Sequence, residues 1–240
     1  MTIKLYLDNA YLKECNAKIV EKFERENKTN VILDKTVFFP SQVAGQAGDS
    51  GEINGIEVEN VYEDKGKIVH TLVRDINSTS VNLKIDWEKR FDNMQQHMAE
   101  HLLTYAFEHL YKANRKNFNL GKEFSTIDLE IKNLDYNIIN LIEDYVNRIV
   151  FSAFKIHSRF IPKPEAGRNG IKLSPKVTAD EIRIVEIDSF FKKACLGTHL
   201  NNTGEIGLIK IIGTEEIDNL KRIKFLAGFR TLYYFREKVL

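Results

Sequence analysis

Apolar and polar positions alternate in short runs over roughly the first third of the chain. NVILDKTVFF, GIEVENVYEDKGKIVHTLV and VNLKIDW each carry the period of two expected of strands, and Asp64-Lys65-Gly66 lies between two such runs where a hairpin turn belongs. One segment departs from this pattern. Over Tyr11 to Glu26, the positions of Leu12, Cys15, Ile19, Val20 and Phe23 recur at helical spacing, which predicts an early helix with Cys15 on its buried face. The strands that follow in series predict a small antiparallel barrel or sandwich.

From Lys89 onward the period changes to that of a helix. Met94, Met98, Leu102, Tyr105, Ala106 and Leu110 form one stripe, which Asp92 or Asn93 would cap and which ends near Ala113 and Asn114. FSTIDLEI reads as a strand, DYNIINLIEDYVNRIVFSAFKI as a second long helix capped by Asp135, and IRIVEID, GLIKII and RIKFLAG as further strands. The predicted fold class is therefore α+β. A small antiparallel β-barrel-like domain is expected over residues 1–88 and an α+β domain over residues 89–240, the boundary resting on the change of period alone. No internal repeat and no Gly/Ser-rich linker is visible.

Composition narrows the class without naming it. A chain of 240 residues with 43% hydrophobic and 29% charged residues can bury a core without disulfides, and is neither a disordered tail nor a low-complexity array. Thirty-five basic residues against thirty-four acidic leave a net charge of +1, so any contact with a polyanion must be local. Two distant cysteines, Cys15 and Cys195, and an N-terminus without an apolar leader lead us to expect a cytoplasmic, reducing setting. No run approaches the roughly 18 apolar residues that a membrane helix needs.

The candidate chemistry lies in two pairs. His97 and His101 are four residues apart on the predicted helix, which stacks two imidazoles one turn apart. By itself this is also the pattern of two ordinary helix histidines. Cys195 and His199 repeat the spacing inside KACLGTHLNNTGEIG, and together the four make a His3Cys set suited to tetrahedral Zn2+. Three neutral imidazoles and a thiolate around the ion leave a net charge of about +1. The run His97-Met98-Ala99-Glu100-His101 lacks the Glu that follows the first His in a zincin, and Glu100 should project about 100° from His101 on the helix, so a thermolysin-like peptidase is not expected.

Four ordered blocks carry a family resemblance: LDKTVFFPSQVAGQAGDSGEING, MQQHMAEHLLTYAFEHLY, NLGKEFSTIDLE and ACLGTHLNNTGEIGLIKI. They resemble the editing domain of alanyl-tRNA synthetase in its free-standing, AlaX-type form, from about Leu5 to Phe225. The resemblance implies a β-rich domain with a glycine-containing loop followed by a zinc-binding editing domain. It also implies hydrolysis of serine, and often glycine, mischarged on tRNA(Ala). Its metal ligands fall on His97, His101, Cys195 and His199, the threonine of its RT-x-FY segment on Thr36, and its loop glutamine on Gln46. The sequence departs from the pattern at three places. The loop Ser41 to Gln46 is longer and poorer in glycine, Leu196 follows Cys195 where glycine is usual, and Asn119 stands where Gln or His is common.

An aminoacyl ester is already activated, so the site need only deliver water and stabilise an oxyanion. Four protein ligands close a tetrahedral site, which leaves three options: a ligand yields its position, the ion becomes five-coordinate, or zinc mainly positions the amino acid. Thr36 is the candidate for the group that pairs with a serine hydroxyl and so rejects alanine, although by strand propensity it is simply a β-branched strand residue. Gln46, Asn119 and Asp128 complete the catalytic candidates. Asp128 would orient a ligand imidazole or serve as a plain surface carboxylate. For RNA, Lys155, Arg159, Lys163, Arg168, Lys172 and Lys176 face a single Glu165 in a stretch whose prolines and glycines predict a loop, with Phe160 as a stacking face. No ATP site and no membrane partner are expected. The rival readings are a zinc-stabilised tRNA-binding module without turnover and an esterase of altered aminoacyl substrate.

Overall fold

The computed structural model describes residues 2–173, 177–188 and 190–239. They form two compact units, Met1–Phe91 with Leu196–Thr198, and Asp92–Cys195 with His199–Leu240. In the first unit, β1 (Ile3–Lys4) and the one-turn α1 (Leu5–Asp8) lead into β2 (Glu14–Arg25) and β3 (Lys28–Leu33). Then come β4 (Lys35–Thr36), β5 (Gly51–Ile53), β6 (Ile56–Asp64), β7 (Lys67–Leu72) and β8 (Ser80–Ile85). Six strands pair antiparallel in a ring, β2-β3-β7-β6-β5-β8, and β8 returns to β2 to close it. Alternate residues such as Val31, Leu33, Val58, Val61, Ile68, Leu72, Val81 and Leu83 fill the interior.

The early helix is not formed: residues 14–25 are strand β2. Within it Ala17 is buried, and half-buried Cys15 and Ile19 alternate with exposed Glu14, Asn16 and Lys18, while Val20 stands 66% exposed. The helical spacing is coincidental because pairing of β2 with both β3 and β8 decides the conformation, and no local pattern reports a partner sixty residues away. The β2–β3 and β6–β7 hairpin turns are set locally. Glu26 and Asn27 have φ 54° and 59°, and Lys65 and Gly66 have φ 47° and 79°, the two left-handed residues that match a turn to strand twist.

The helix α2 (Trp87–Tyr111) starts five residues before the expected cap. Its cap is Asp86, whose Oδ1 accepts the Lys89 N–H at 3.1 Å and whose carbonyl accepts the Arg90 N–H at 3.1 Å. Asp92 is instead held by Arg230, through bonds of 2.8 and 2.6 Å. Arg90 is fully buried in the first unit. It bonds both oxygens of Asp49 and donates to the carbonyls of Ala10 and Val37 at 2.9 and 2.7 Å. Of the predicted stripe, Met94, Met98, Leu102 and Ala106 are fully buried, whereas Leu110 near the helix end is exposed.

The second unit continues with β9 (Asn114–Leu120), β10 (Ser125–Glu130), α3 (Tyr136–Phe151), β11 (Ile156–Pro162) and α4 (Lys163–Arg168). It is completed by β12 (Glu181–Ile187), β13 (Phe191–Ala194), a 3-10 turn (Thr203–Ile206), β14 (Ile209–Ile217), β15 (Leu220–Ala227) and α5 (Phe229–Val239). The strands make a sheet β14-β15-β10-β9 and a second sheet β11-β12-β13. Asp135 caps α3 as expected, accepting the Ile138 N–H at 2.9 Å. Facing the edge strand β14, Asn147 of α3 donates to the Ile209 carbonyl and accepts the Ile209 N–H, at 2.8 and 2.9 Å. Its amide thereby satisfies two backbone groups that an edge would leave open.

The basic stretch expected to be a loop is a strand and a short helix. Seven residues of β11 pair in register with β12, from Ile156 with Ile187 to Pro162 with Glu181. The prolines do not prevent this, because Pro162 ends the strand and Pro164 lies in the first turn of α4, where a missing N–H costs no helical bond. Lys176 lies outside the described residues. Among the described residues, no helix is long and apolar enough to cross a membrane.

Candidate metal centre

In the second unit, α2 and the segment after β13 bring together His97, His101, Cys195 and His199, whose ligand atoms lie within 4.8 Å of one another. All four residues are buried, and Cys195 Sγ is 3.5 Å from His97 Nε2. The rings of His97 and His101 are 4.5 Å apart, centre to centre, and that of His199 is 5.1 and 5.6 Å from them. The helical spacing of four supplies the first pair. Arg183 of β12 fixes the approach of the second: its carbonyl accepts the Cys195 N–H and its guanidinium donates to the Cys195 carbonyl, both at 3.0 Å.

The helix itself is held by two consecutive amides. Gln96 accepts the Ala227 N–H at 3.1 Å and donates to the Ala227 carbonyl at 2.9 Å, and Gln95 donates to the Glu205 carbonyl at 2.9 Å. Gln95 also packs on Gly228, which has φ +61°; a Cβ there would come within 2.1 Å of the Gln95 amide oxygen.

Burial, first of all, pushes the basicity of His97 and His199 well down and that of His101 down to about 4, so all three are neutral near pH 7. His101 and His199 each have one engaged nitrogen. His101 Nδ1 lies 2.7 Å from Glu100 Oε2, and His199 Nδ1 lies 3.2 Å from the Ser158 hydroxyl. Their Nε2 atoms are buried without a hydrogen-bond partner. Two orphaned imidazole lone pairs converging with a third imidazole and a thiol fit a soft, tetrahedral divalent cation.

Glu100 was expected to project away from His101. Successive residues do leave a helix 100° apart, but the Glu side chain is long enough to fold along the surface, so one oxygen reaches Thr104 Oγ1 at 2.8 Å and the other the His101 ring. Burial alone would raise the Glu100 carboxyl, yet Lys193, His101 and Arg115 outweigh it and hold it well below the usual range.

The other candidates fall in several places. In the first unit, Thr36 is fully buried on β4, with Oγ1 2.8 Å from His70 Nε2 and accepting the Phe38 N–H at 3.1 Å. Since His70 Nδ1 faces the Val31 carbonyl at 3.3 Å, its Nε2 is the acceptor and Thr36 the donor. Burial drives His70 down to about 4. Gln46, also buried in this unit, donates to Thr198 Oγ1 at 2.7 Å and accepts the Thr198 N–H at 3.1 Å. Asn119 is exposed on β9, opposite Thr126.

Asp128 does not orient an imidazole. It lies on the face of β10 opposite buried Ile127 and Leu129, and its two oxygens take Arg222 at 2.6 and 2.9 Å. The carboxylate beside a candidate ligand is Glu100. Of the basic residues, Arg159 pairs with Glu186 at 3.0 Å and Lys172 with Glu108 at 2.8 Å; Lys163 donates to the Val177 carbonyl, and Lys155 and Arg168 are exposed. Phe160 is 43% exposed. The sequence reading expects Glu100 to point away from His101 and does not single out His70, Ser158 or Arg183. Only Glu100, next to a ligand, offers a local signal.

Residues 182–224 match the family model described as threonyl and alanyl tRNA synthetase second additional domain. The chain is 33% identical over 249 residues to the alanyl-tRNA editing protein AlaX-L of Pyrococcus horikoshii, covering 99% of this chain and 61% of that protein. It is 34% identical over 248 residues to the alanine–tRNA ligase of Ignicoccus hospitalis, covering 95% of this chain and 26% of the ligase. It is also 34% identical over 209 residues to the alanyl-tRNA editing protein Aarsd1-B of Xenopus laevis, covering 85% of this chain and 50% of the relative. The chain thus spans less than two thirds of each of these relatives.

Proposed function

We propose that the chain belongs to the alanyl-tRNA editing family and is a zinc-dependent deacylase removing serine, and also glycine, from mischarged tRNA(Ala). The observation that carries the reading is the buried His97, His101, Cys195 and His199 cluster with its two unpartnered Nε2 atoms. These four side chains would hold the ion. Zinc bound there would supply Lewis acidity toward the ester carbonyl.

The surrounding residues support the reading by what they do to those four. Ser158 and Glu100 engage the second nitrogens of His199 and His101, and Arg183 brackets the peptide of Cys195. For selection we assign Thr36. Its hydroxyl donates to His70 and accepts from Phe38, which leaves one lone pair for the hydroxyl of a seryl group. An alanyl group offers no such donor.

The test is the loss of ester from purified seryl-tRNA(Ala), with zinc content measured on the same samples. Wild-type protein should carry about one zinc and deacylate catalytically, whereas Cys195→Ala should lose the metal and at least about 100-fold in rate, within the range by which metal-site and oxyanion-stabilising groups act. Wild-type protein that binds this tRNA and leaves its ester intact would overturn the enzyme reading in favour of a binding module.

A further inference from the structure

We propose that a cavity of about 470 Å³ in the second unit is a nucleotide-binding site, for a base and its 5′-phosphate, set behind the metal centre. Its size falls within the ~300–1,000 Å³ of sites that enclose small ligands. Two kinds of side chain line it. Half-buried Tyr105 and Phe190 and buried Phe191 supply rings, with Tyr105 5.7 Å from Phe190 and 5.8 Å from Phe191, centre to centre. Arg115, Lys192 and Lys193 supply cations. Ring faces that take a base, beside cations that meet its phosphate, are the combination by which proteins hold unpaired nucleotides.

The positive charge of this wall is not fully matched within the protein. Glu108 and Lys172, also at the cavity, pair with each other at 2.8 Å, and Lys192 pairs with Glu186 at 3.0 Å. Arg115 and Lys193 share one buried carboxylate, Glu100, at 3.0 and 3.7 Å, so two cations face one anion and one positive charge is left over. Among the described residues, Arg115 Nη1 is buried without a hydrogen-bond partner despite that ion pair. An incoming phosphate oxygen would satisfy the donor and offset the surplus charge. The Arg115 guanidinium lies over the Phe118 ring, 4.4 Å from its centre, which fixes the plane of the fork before a ligand arrives. Lys193 Nζ is 3.2 Å from His101 Nδ1, and the Phe191 ring 5.9 Å from the His101 ring. The cavity thus adjoins the Nδ1 edge of His101, while Nε2 leaves the ring on its other edge. An ester at the four-residue cluster lies outside the cavity, which takes either a neighbouring nucleotide of the same RNA or a free mononucleotide. The first source rests on the deacylase reading above; the second does not.

The experiment titrates the full chain with adenosine 5′-monophosphate by calorimetry, and with adenosine and ribose 5-phosphate as its two halves. Wild type should bind the nucleotide at least about 10-fold more tightly than either half, since stacking and the charge-assisted phosphate contacts each contribute that much. Arg115→Gln should weaken the nucleotide about 10-fold and leave adenosine unchanged, whereas Phe190→Ala should weaken both and leave ribose 5-phosphate unchanged. A nucleotide that binds wild type no better than its halves overturns the proposal, and that comparison needs no variant. So does an affinity that neither folded variant alters. The source is read by competition: displacement of the nucleotide by the RNA trinucleotide CCA assigns the cavity to the tRNA end, and no displacement assigns it to a free mononucleotide. Deacylation of seryl-tRNA(Ala) by protein that binds no adenosine 5′-monophosphate would sink the cavity and leave the deacylase standing; nucleotide binding without deacylation would do the reverse.

Discussion

Single side chains in this protein repeatedly take the place of a peptide group or a missing partner. The amides of Gln96, Asn147 and Gln46 each satisfy a donor and an acceptor on Ala227, Ile209 and Thr198. His70 is the ionisable case: enclosed between Thr36 and the Val31 carbonyl, it is held neutral down to about pH 4. The unfolded chain takes up this proton near pH 6.5, so between about 6.5 and 4 the unfolded state binds more protons than the folded one. The neutral histidine's contribution is therefore complete above that window and is lost as the pH falls through it. Lowering the pH from 7 to 5 should cost wild type roughly 2 kcal/mol more than a His70→Gln variant, at about 1.4 kcal/mol per unit of displaced pKa. Paired urea titrations of zinc-free protein at the two pH values measure the difference; parallel losses would mean that His70 is protonated in the fold. No feature of the sequence marks His70, because Thr36 is thirty-four residues away, on a strand that pairs with β1 and not with β7.

At the scale of elements, legibility follows the range of the interaction that decides each one. The turn at Lys65 and Gly66 and the cap at Asp135 are settled by neighbours a few residues away, and both are legible in the sequence. Strand β2 and the start of α2 are not. The first is fixed by its ladders, and the second by Asp86, which a pattern of apolar residues does not reveal. The docking of α3 on β14 lies beyond any pattern too, since Asn147 and Ile209 are sixty-two residues apart. Replacing Asn147 with Leu strands a buried N–H and a buried carbonyl. At about 1–3 kcal/mol for each unsatisfied group, this should destabilise the protein by roughly 3 kcal/mol. Asn147→Asp, which retains the acceptor but not the donor, should fall between Leu and wild type in urea denaturation. Equal stability of all three would show that Ile209 finds water or another partner when the amide is gone.

For the whole molecule, the near balance of 35 basic and 34 acidic residues makes local pairing decide where a polyanion can be held. The four candidate ligands are legible because two pairs spaced four residues apart carry them; the groups that bond to His199 and Cys195 come from other strands, Ser158 of β11 and Arg183 of β12. The candidate RNA residues are legible as charge but not as paired charge. Arg159 and Lys172 are already engaged by Glu186 and Glu108, whereas among the described residues no carboxylate lies in ion-pair range of Lys155 or Arg168. A phosphate that takes an engaged lysine or arginine must displace its carboxylate, while an unengaged one releases only a counterion. If this stretch meets tRNA, the two classes should separate. Neutralising Lys155 and Arg168 together to Gln should weaken binding and lower the slope of log affinity against log salt by about 2, near one for each phosphate that no longer meets a cation. Neutralising Arg159 and Lys172 should change the slope by less than half of that. Equal slopes for both pairs, measured by titration across a range of salt concentrations, would place the tRNA elsewhere on the protein.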